Sequence, residues 1–353
     1  MSNSNWILEP SEETQTEYHC LKKTCGLLEL SDRGRLCLTG DDRISFLHGQ
    51  ITQDIKSLGY GQGAYAALVD SKGKIQSDLN VYILKDEILL DFEKGYTETI
   101  IQRLEHHLVS EDVSIVDPSE FYTMFSIQGP HSAKALNAVF PEIQLPESLW
   151  HFVELERDDG SIYACQRPRF GSQGFDLFIP RVARDTLHLQ MASAVKMLGG
   201  SLVHEPASEL ARIEAGIPKM GIDMTPEHLV QETGLTPSVI SFKKGCYIGQ
   251  EVISRIRTVG KVNKYLCRLA FDTLPSLEGD SCHMLNVGGK EAGFVTSLAA
   301  VSGQDSNIYG LGYVKRSFLE GDTLFTLGET GTSTGKIQII GEPSPTGFHA
   351  QNA

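Results

Sequence analysis

The sequence has no long apolar run, no paired-cysteine pattern and little positive charge, and each absence narrows what the chain does. No stretch approaches the ~18 uninterrupted apolar residues that a membrane helix needs, so no membrane partner is expected. Met1 to Pro10 carries neither a cationic start nor an apolar core; no signal peptide is visible, and a cytoplasmic location is expected. Lysine and arginine number 31 against 45 acidic residues, for a net charge of −14 over 353 residues. That balance argues against direct nucleic-acid binding, which needs a basic surface, while leaving room for a local basic pocket. The 7 cysteines, at positions 20, 25, 37, 165, 246, 267 and 282, are odd in number, scattered and without a CxxC pair. Neither a disulfide scaffold nor a closed zinc site fits that pattern. The histidines show no helical metal-ligand spacing, and no metal site is expected. What remains is an ordinary globular profile, 41% hydrophobic and 22% charged, long enough for two or three domains.

Along the chain, Leu27 to Leu38 alternates as a strand, and Thr39-Gly40-Asp41-Asp42 reads as a turn and helix N-cap. Ile44, Leu47, Ile51 and Ile55 then follow at helical spacing. Gly59-x-Gly61-x-Gly63 precedes a strand instead of opening a helix, so it is a turn and not a dinucleotide fingerprint. Ala64 to Val69 and Ile75 to Leu84 are strands joined as a hairpin by Asp70-Ser71-Lys72-Gly73, and Glu87 to Phe92 pairs with the second. Thr97 to Val109 shows an apolar helical face at Ile100, Ile101, Leu104 and Leu108. Further strands are expected at Val113 to Val116, Phe121 to Ile127, Ser161 to Cys165 and Phe175 to Ile179. Helices are expected over Arg181 to Leu198 and Glu209 to Ala215, the latter stopped by Gly216 and Pro218. From about Val262 the pattern becomes short strands and glycine-rich turns, a small all-β domain with a polar tail. This mixture is an α+β fold.

The richest segment is Lys244-Gly245-Cys246-Tyr247-Ile248-Gly249-Gln250-Glu251. Ile248, Val252 and Ile256, four apart, predict a helix opening just after the cysteine. A thiol at a helix N-terminus beside Lys243 and Lys244 is favoured as thiolate, since dipole and ammonium groups act alike. A buried structural cysteine in a tight turn is the plainer alternative. Asp78 lies in the strand Ile75 to Leu84 and shares a face with Gln76, Asn80 and Tyr82; the face is either solvated or the wall of a cleft where the acid handles a proton. Glu214 sits in the last turn of its helix, where the dipole disfavours a carboxylate by ~0.3–1 kcal/mol. It needs either an ion-pair partner or a ligand with donors to offer. Arg255, Arg257, Lys261 and Lys264 form a basic stripe, a solvated helix face or a receiver for an anionic tail.

The eight-residue segment matches the K-G-C-Y-x-G-Q-E signature of the YgfZ-type folate-binding proteins, relatives of the glycine-cleavage T-protein (aminomethyltransferase). Weaker likenesses follow in order: Gly34-Arg35-Leu36 with Gly40-Asp41-Asp42 and Phe46-Leu47, Gln53-Asp54-Ile55, Gly73 to Leu79, Arg212 to Pro218, Gly293 to Ser297, and Leu311 to Val314. The resemblance implies a three-domain cloverleaf with two interleaved α+β lobes and a C-terminal β-barrel around a central folate channel. The division expected is 1–42 plus 121–205 for the first lobe, 43–120 plus 206–258 for a ferredoxin-like second lobe carrying the motif, 259–340 for the barrel and 341–353 for a tail. Tetrahydrofolate or another reduced folate is the cofactor implied. Its contacts would be Glu214, Asp78, Arg255 and Tyr247, with Asp78 near the reactive nitrogens and Cys246 as a reactive thiol. Lys244, Gly245, Gly249, Gln250 and Glu251 complete the signature. The function implied is an accessory role in iron–sulfur cluster assembly or repair, supporting enzymes such as those that modify tRNA; the partners would be cluster proteins or their assembly machinery. The alternative is a folate-dependent aminomethyltransferase or demethylase. Transferases usually have two adjacent acids where this chain has Ser77-Asp78, and they lack the cysteine signature. Phe170 to Asp176 resembles a transferase segment only loosely, with Asp176 in place of glutamate.

Overall fold

A computed structural model describes residues 7–8, 10–171, 173–273, 283–301, 307–319, 323–327 and 337–341. Cys282 and all but the first residue of the 341–353 tail lie outside them. Three sheets organise these residues. The first is six-stranded, ordered Ser201–Leu202, Gly26–Glu29, Tyr122–Gln128, Gly174–Pro180, Ile162–Gln166, Phe152–Leu155. The second is five-stranded and antiparallel, ordered Gly63–Val69, Ile75–Ile83, Ile88–Phe92, Gly34–Thr39, Ser114–Val116. The third is seven-stranded and curls from Lys264–Phe271 through Ile337–Gly341, taking Ile7–Leu8 as a parallel strand beside Lys290–Val301. The architecture is α+β, two sheet-and-helix lobes with a C-terminal curled barrel, as the resemblance implied.

Each sheet has its own apolar core. Helices Ser132–Val139 and Arg184–Met197 cover the six-stranded sheet, burying Phe125, Leu136, Leu177 and Met191. Helices Arg43–Gln50 and Thr97–Glu105 bury Leu47, Ile100 and Leu104 against the five-stranded sheet. The hairpin turn forms as its sequence requires. Asp70 Oδ1 accepts from the amides of Lys72 and Lys74 at 2.8 and 2.9 Å, and Gly73 takes φ +74°.

Three expectations change. The alternating run Leu27 to Leu38 is not one strand. It breaks at Leu30-Ser31-Asp32-Arg33, and its halves enter different sheets. The strand Gly34–Thr39, placed in the first lobe by the sequence division, therefore pairs within the second sheet. The helix after Asp42 ends at Gln50, so Ile51 and Ile55 reach the same core from a loop. The helix Glu205–Ala215 starts one turn early, with a proline in its first turn, and stops at Gly216 with φ +75°.

A buried ion pair fastens that helix to the barrel. Arg212 Nη1 donates to Asp223 Oδ2 at 2.7 Å, and Thr296 and Ser297 hydroxyls donate to Asp223 Oδ1 at 2.6 and 2.7 Å. Asp223→Asn strips the charge opposite a buried guanidinium. It is expected to lower unfolding free energy by about 3 kcal/mol in a urea titration; a loss under about 0.5 kcal/mol, the range of ordinary surface changes, would mean the pair is not structural.

Candidate functional site

A cleft opens where the two lobes meet the helix Glu205–Ala215, with about 1030 Å³ of empty space, open mouth included. Its walls come from the break at Leu30 to Arg33, from Tyr65, Asp78 and Asn80 on the hairpin strands, from the loop Arg167 to Phe170, and from Glu205, Ser208, Glu209 and Arg212. The break in the first strand run is what delivers Arg33 here.

Alternation along Ile75–Ile83 turns Asp78, Asn80 and Tyr82 to one face and buries Ser77 on the other. Tyr65, across the hairpin, donates its hydroxyl to Asp78 Oδ2 at 2.8 Å. Asp78 Oδ1 is buried and has no partner. Burial pushes the Asp78 carboxyl above the ordinary carboxylate range, against the opposing pull of the Tyr65 hydrogen bond and the Arg33 charge.

Behind Asp78 lies a polar wall. Asp91, fully buried, accepts from Arg33 Nε and Nη2 at 2.7 and 3.1 Å, from Asn80 Nδ2 at 2.8 Å and from Arg169 Nη2 at 3.3 Å. Burial alone would raise the Asp91 carboxyl, but Arg33 and Arg169 hold it below the usual range. Arg169 also grips Asp176 at 2.7 Å, which occupies the bond-forming capacity of that acid. Asn80 Oδ1 accepts from Trp150 Nε1 at 2.8 Å and Arg167 Nε at 3.0 Å. Tyr65 and Trp150 stack with centroids 5.6 Å apart, and Arg167 lies over both rings. Trp150 takes φ 59°, a left-handed backbone that a bulky residue adopts only when its surroundings impose it. The sequence reading passed over Arg33, Asp91, Arg167 and Arg169. Asp91 carried a signal all the same, as a lone charge within the apolar strand Ile88–Phe92.

Glu214 is not among the residues lining the cleft. It points half a turn round the helix from Glu209 and Arg212, where Lys22 Nζ meets Oε2 at 2.8 Å and the Tyr18 hydroxyl bonds to it. The ion-pair alternative weighed from its position is the arrangement found. Arg255 is exposed on the helix Gln250–Thr258, away from the cleft.

The motif divides into a buried half and an exposed half. Lys244 turns inward, donating from Nζ to the carbonyl oxygens of His48, Ile51 and Gln53 at 2.6, 2.7 and 2.9 Å. Burial brings its ammonium down to about 8. Tyr247 is buried in the core beneath it, the ammonium 4.9 Å above its ring, and is not on the cleft. Gly249 takes φ +83° against Asp70, where a Cβ would sit 2.5 Å from the Asp70 oxygen. Gly245 and Cys246 are exposed. The helix opens at Gln250, four residues past the cysteine, because Gly249 caps it. Lys244 is turned inward as well, so neither the helix N-terminus nor this ammonium is placed beside Cys246 as the sequence reading expected. Gln250 and Glu251 occupy the first turn as expected.

Among the described residues no cluster of three His, Cys, Asp or Glu side chains could hold a metal, and no helix is long and apolar enough to cross a membrane.

Residues 5–244 match the family described as the GCVT N-terminal domain, more than half of the 353 residues, and the chain belongs to that family. The match ends at Lys244, just short of Cys246. A chloroplastic relative from Arabidopsis thaliana is 29% identical over 305 residues, spanning 86% of this chain and 68% of its own. The tRNA-modifying protein YgfZ of Yersinia pestis is 25% identical over 318 residues, spanning 89% of this chain and 91% of its own. The crystal structure of glycine cleavage system aminomethyltransferase T from Bartonella henselae has the same fold, with a TM-score of 0.79 over 92% of this chain and 88% of its own, at 20% identity.

The two halves of the motif are separable by stability. Lys244→Met leaves three carbonyl groups without their donor and is expected to reduce unfolding free energy by about 2 kcal/mol. Cys246→Ser, on the surface, is expected to stay within about 0.5 kcal/mol of wild type in the same urea titration. Equal losses would contradict the division.

Proposed function

We propose that the chain binds a reduced folate in the central cleft and acts as an accessory protein in iron–sulfur cluster assembly or repair. The observation that carries the folate reading is Asp78: a desolvated carboxyl, steadied by Tyr65 on one oxygen and open on the other, at the floor of a cleft in this family's fold. A pterin presents ring and amino N–H donors, which suit an unpartnered acceptor oxygen. Lys94 and Lys219 at the cleft, each already near acids, offer cations for the carboxylates of the folate tail. Because the family members implied by the sequence signature use Glu214, that residue stays a proposed second contact; it would first have to leave Lys22.

The accessory role rests on Cys246, an exposed thiol beside a rigidly anchored motif, free to meet a partner protein. Aminomethyl transfer is the second reading, favoured by the shared fold and by Asp78. It requires methylene-tetrahydrofolate from an aminomethyl donor, whose carbon is already at the formaldehyde oxidation level and whose nitrogen leaves as ammonia, with Asp78 essential and Cys246 dispensable.

Calorimetric titration with tetrahydrofolate tests the site. Wild type is expected to bind one equivalent, and Asp78→Asn to weaken binding roughly tenfold or more, as for loss of a charge-assisted hydrogen bond. Because the Asp78 carboxyl is raised, affinity is expected to fall on acidification starting above the ordinary carboxylate range, and the fall should vanish in Asp78→Asn. Glu214→Gln is expected to weaken binding less than Asp78→Asn does; a larger loss there would make Glu214 the main pterin contact. Absence of wild-type binding would overturn the folate reading. In cells lacking the protein, Cys246→Ser is expected to bind folate yet fail to restore the activity of a cluster-dependent enzyme. Full restoration would remove the thiol from the function.

A further inference from the structure

We propose that the chain has a second ligand site, a pocket between the two lobe sheets that takes a small apolar carboxylic acid, its carboxylate meeting the guanidinium of Arg35. On the strand Gly34–Thr39, Leu36 and Leu38 fill the core of the five-stranded sheet, so Arg35, Cys37 and Thr39 face the other way. That face looks across to Tyr122, Tyr163 and Phe178 of the six-stranded sheet, and between them lies a pocket with about 780 Å³ of empty space, open mouth included. It shares no lining residue with the central cleft.

The walls are largely apolar and aromatic; the polar lining is Arg35, Thr39 and Glu87, whose carboxylate is engaged by the Cys37 thiol. The Arg35 guanidinium is 1% exposed, yet among the described residues no carboxylate lies within 4.0 Å of it. Its Nη groups donate to the carbonyl oxygens of Ser31 and Tyr122 at 3.0 and 3.2 Å and to Ser119 Oγ at 3.4 Å, and Nε is buried with no partner. Every other deeply buried arginine described above is satisfied differently: Arg33, Arg169 and Arg212 each hold a carboxylate at 2.7 Å, and Arg167 lies over two rings. Buried charges persist when paired, and a lone one is strongly disfavoured. Burial accordingly lowers the proton affinity of Arg35. A buried cation without a carboxylate partner, in a largely aromatic pocket, is complementary to an aromatic or branched aliphatic monoacid, with the apolar body between the sheets and the carboxylate toward the guanidinium. Cys37 stays a spectator: burial and its hydrogen bond to Glu87 push the thiol well above its ordinary range. The mouth is bordered by Phe121 and Val116, 67% and 46% exposed.

The test is calorimetric titration of the full chain with naphthalene-2-carboxylate and with its neutral isostere, naphthalene-2-carboxamide. Wild type is expected to bind one carboxylate per chain, roughly ten- to a hundredfold tighter than the carboxamide. Arg35→Met is expected to abolish that preference. Val116→Trp fills the half-exposed mouth with little strain on the fold, checked by its thermal melting, and is expected to bind neither probe. The proposal is overturned if wild type binds no carboxylate, if it binds both probes equally, or if Val116→Trp binds the carboxylate as wild type does. These outcomes decide the matter even if Arg35→Met does not fold.

Discussion

Asp91 is fully buried and charged, and side chains from three separate segments converge on it: Arg33 from the turn that splits the first strand run, Asn80 from the hairpin, and Arg169 from the loop of the opposite sheet. A carboxylate so far from water survives only because these donors replace its hydration. The same bonds dictate how the two lobes meet. From Asp91 the network passes through Asn80 to Trp150 and Arg167, and through Arg169 to Asp176, Ser126 and the six-stranded sheet. The left-handed backbone of Trp150 is held within this network. The cleft is therefore a rigid product of lobe packing, and Asp78 is presented to it with its rotamer fixed by Tyr65.

The signature motif uses the same economy of position. Its lysine closes off three carbonyl groups at the end of the helix Arg43–Gln50, its tyrosine packs below, and its second glycine allows the backbone to pass against Asp70. Those constraints place the cysteine outward at a fixed point on the surface. The arrangement separates two tasks in eight residues, anchoring and exposure. The first is visible in the structure and the second is what the proposed accessory role uses.

Much of this was legible in the residues. The hairpin at Asp70 to Gly73, the helices around Ile100 and Leu104, and the polar face of Asp78 and Asn80 follow from period and turn chemistry, which are local. The signature identified the family because its spacing is specific. What escaped was non-local. Nothing in the period of Leu27 to Leu38 says that its halves join different sheets, since both halves alternate alike. Glu214 was rightly marked as an acid at an unfavourable helix end, but only the packing of Lys22 from a distant helix decides which way it points. Gly249 delays the helix by one turn, and glycine before a helix signals that only weakly. Arg33 and Arg169 carry no local signal of their own; only Asp91, a lone charge within an apolar strand, hints that buried cations meet it.

The most direct test of folate in the cleft uses the indole that packs behind its wall, against Tyr65, Asn80 and Arg167. The chain has 2 tryptophans, so in a Trp6→Phe protein all indole emission comes from Trp150, which stacks on the tyrosine that bonds Asp78. Titration with tetrahydrofolate is expected to change that emission saturably, at one folate per chain, and Asp78→Asn is expected to move the half-saturation point to a roughly tenfold higher concentration or beyond. Unaltered Trp150 emission under conditions where calorimetry shows folate bound would place the ligand elsewhere and contradict the account.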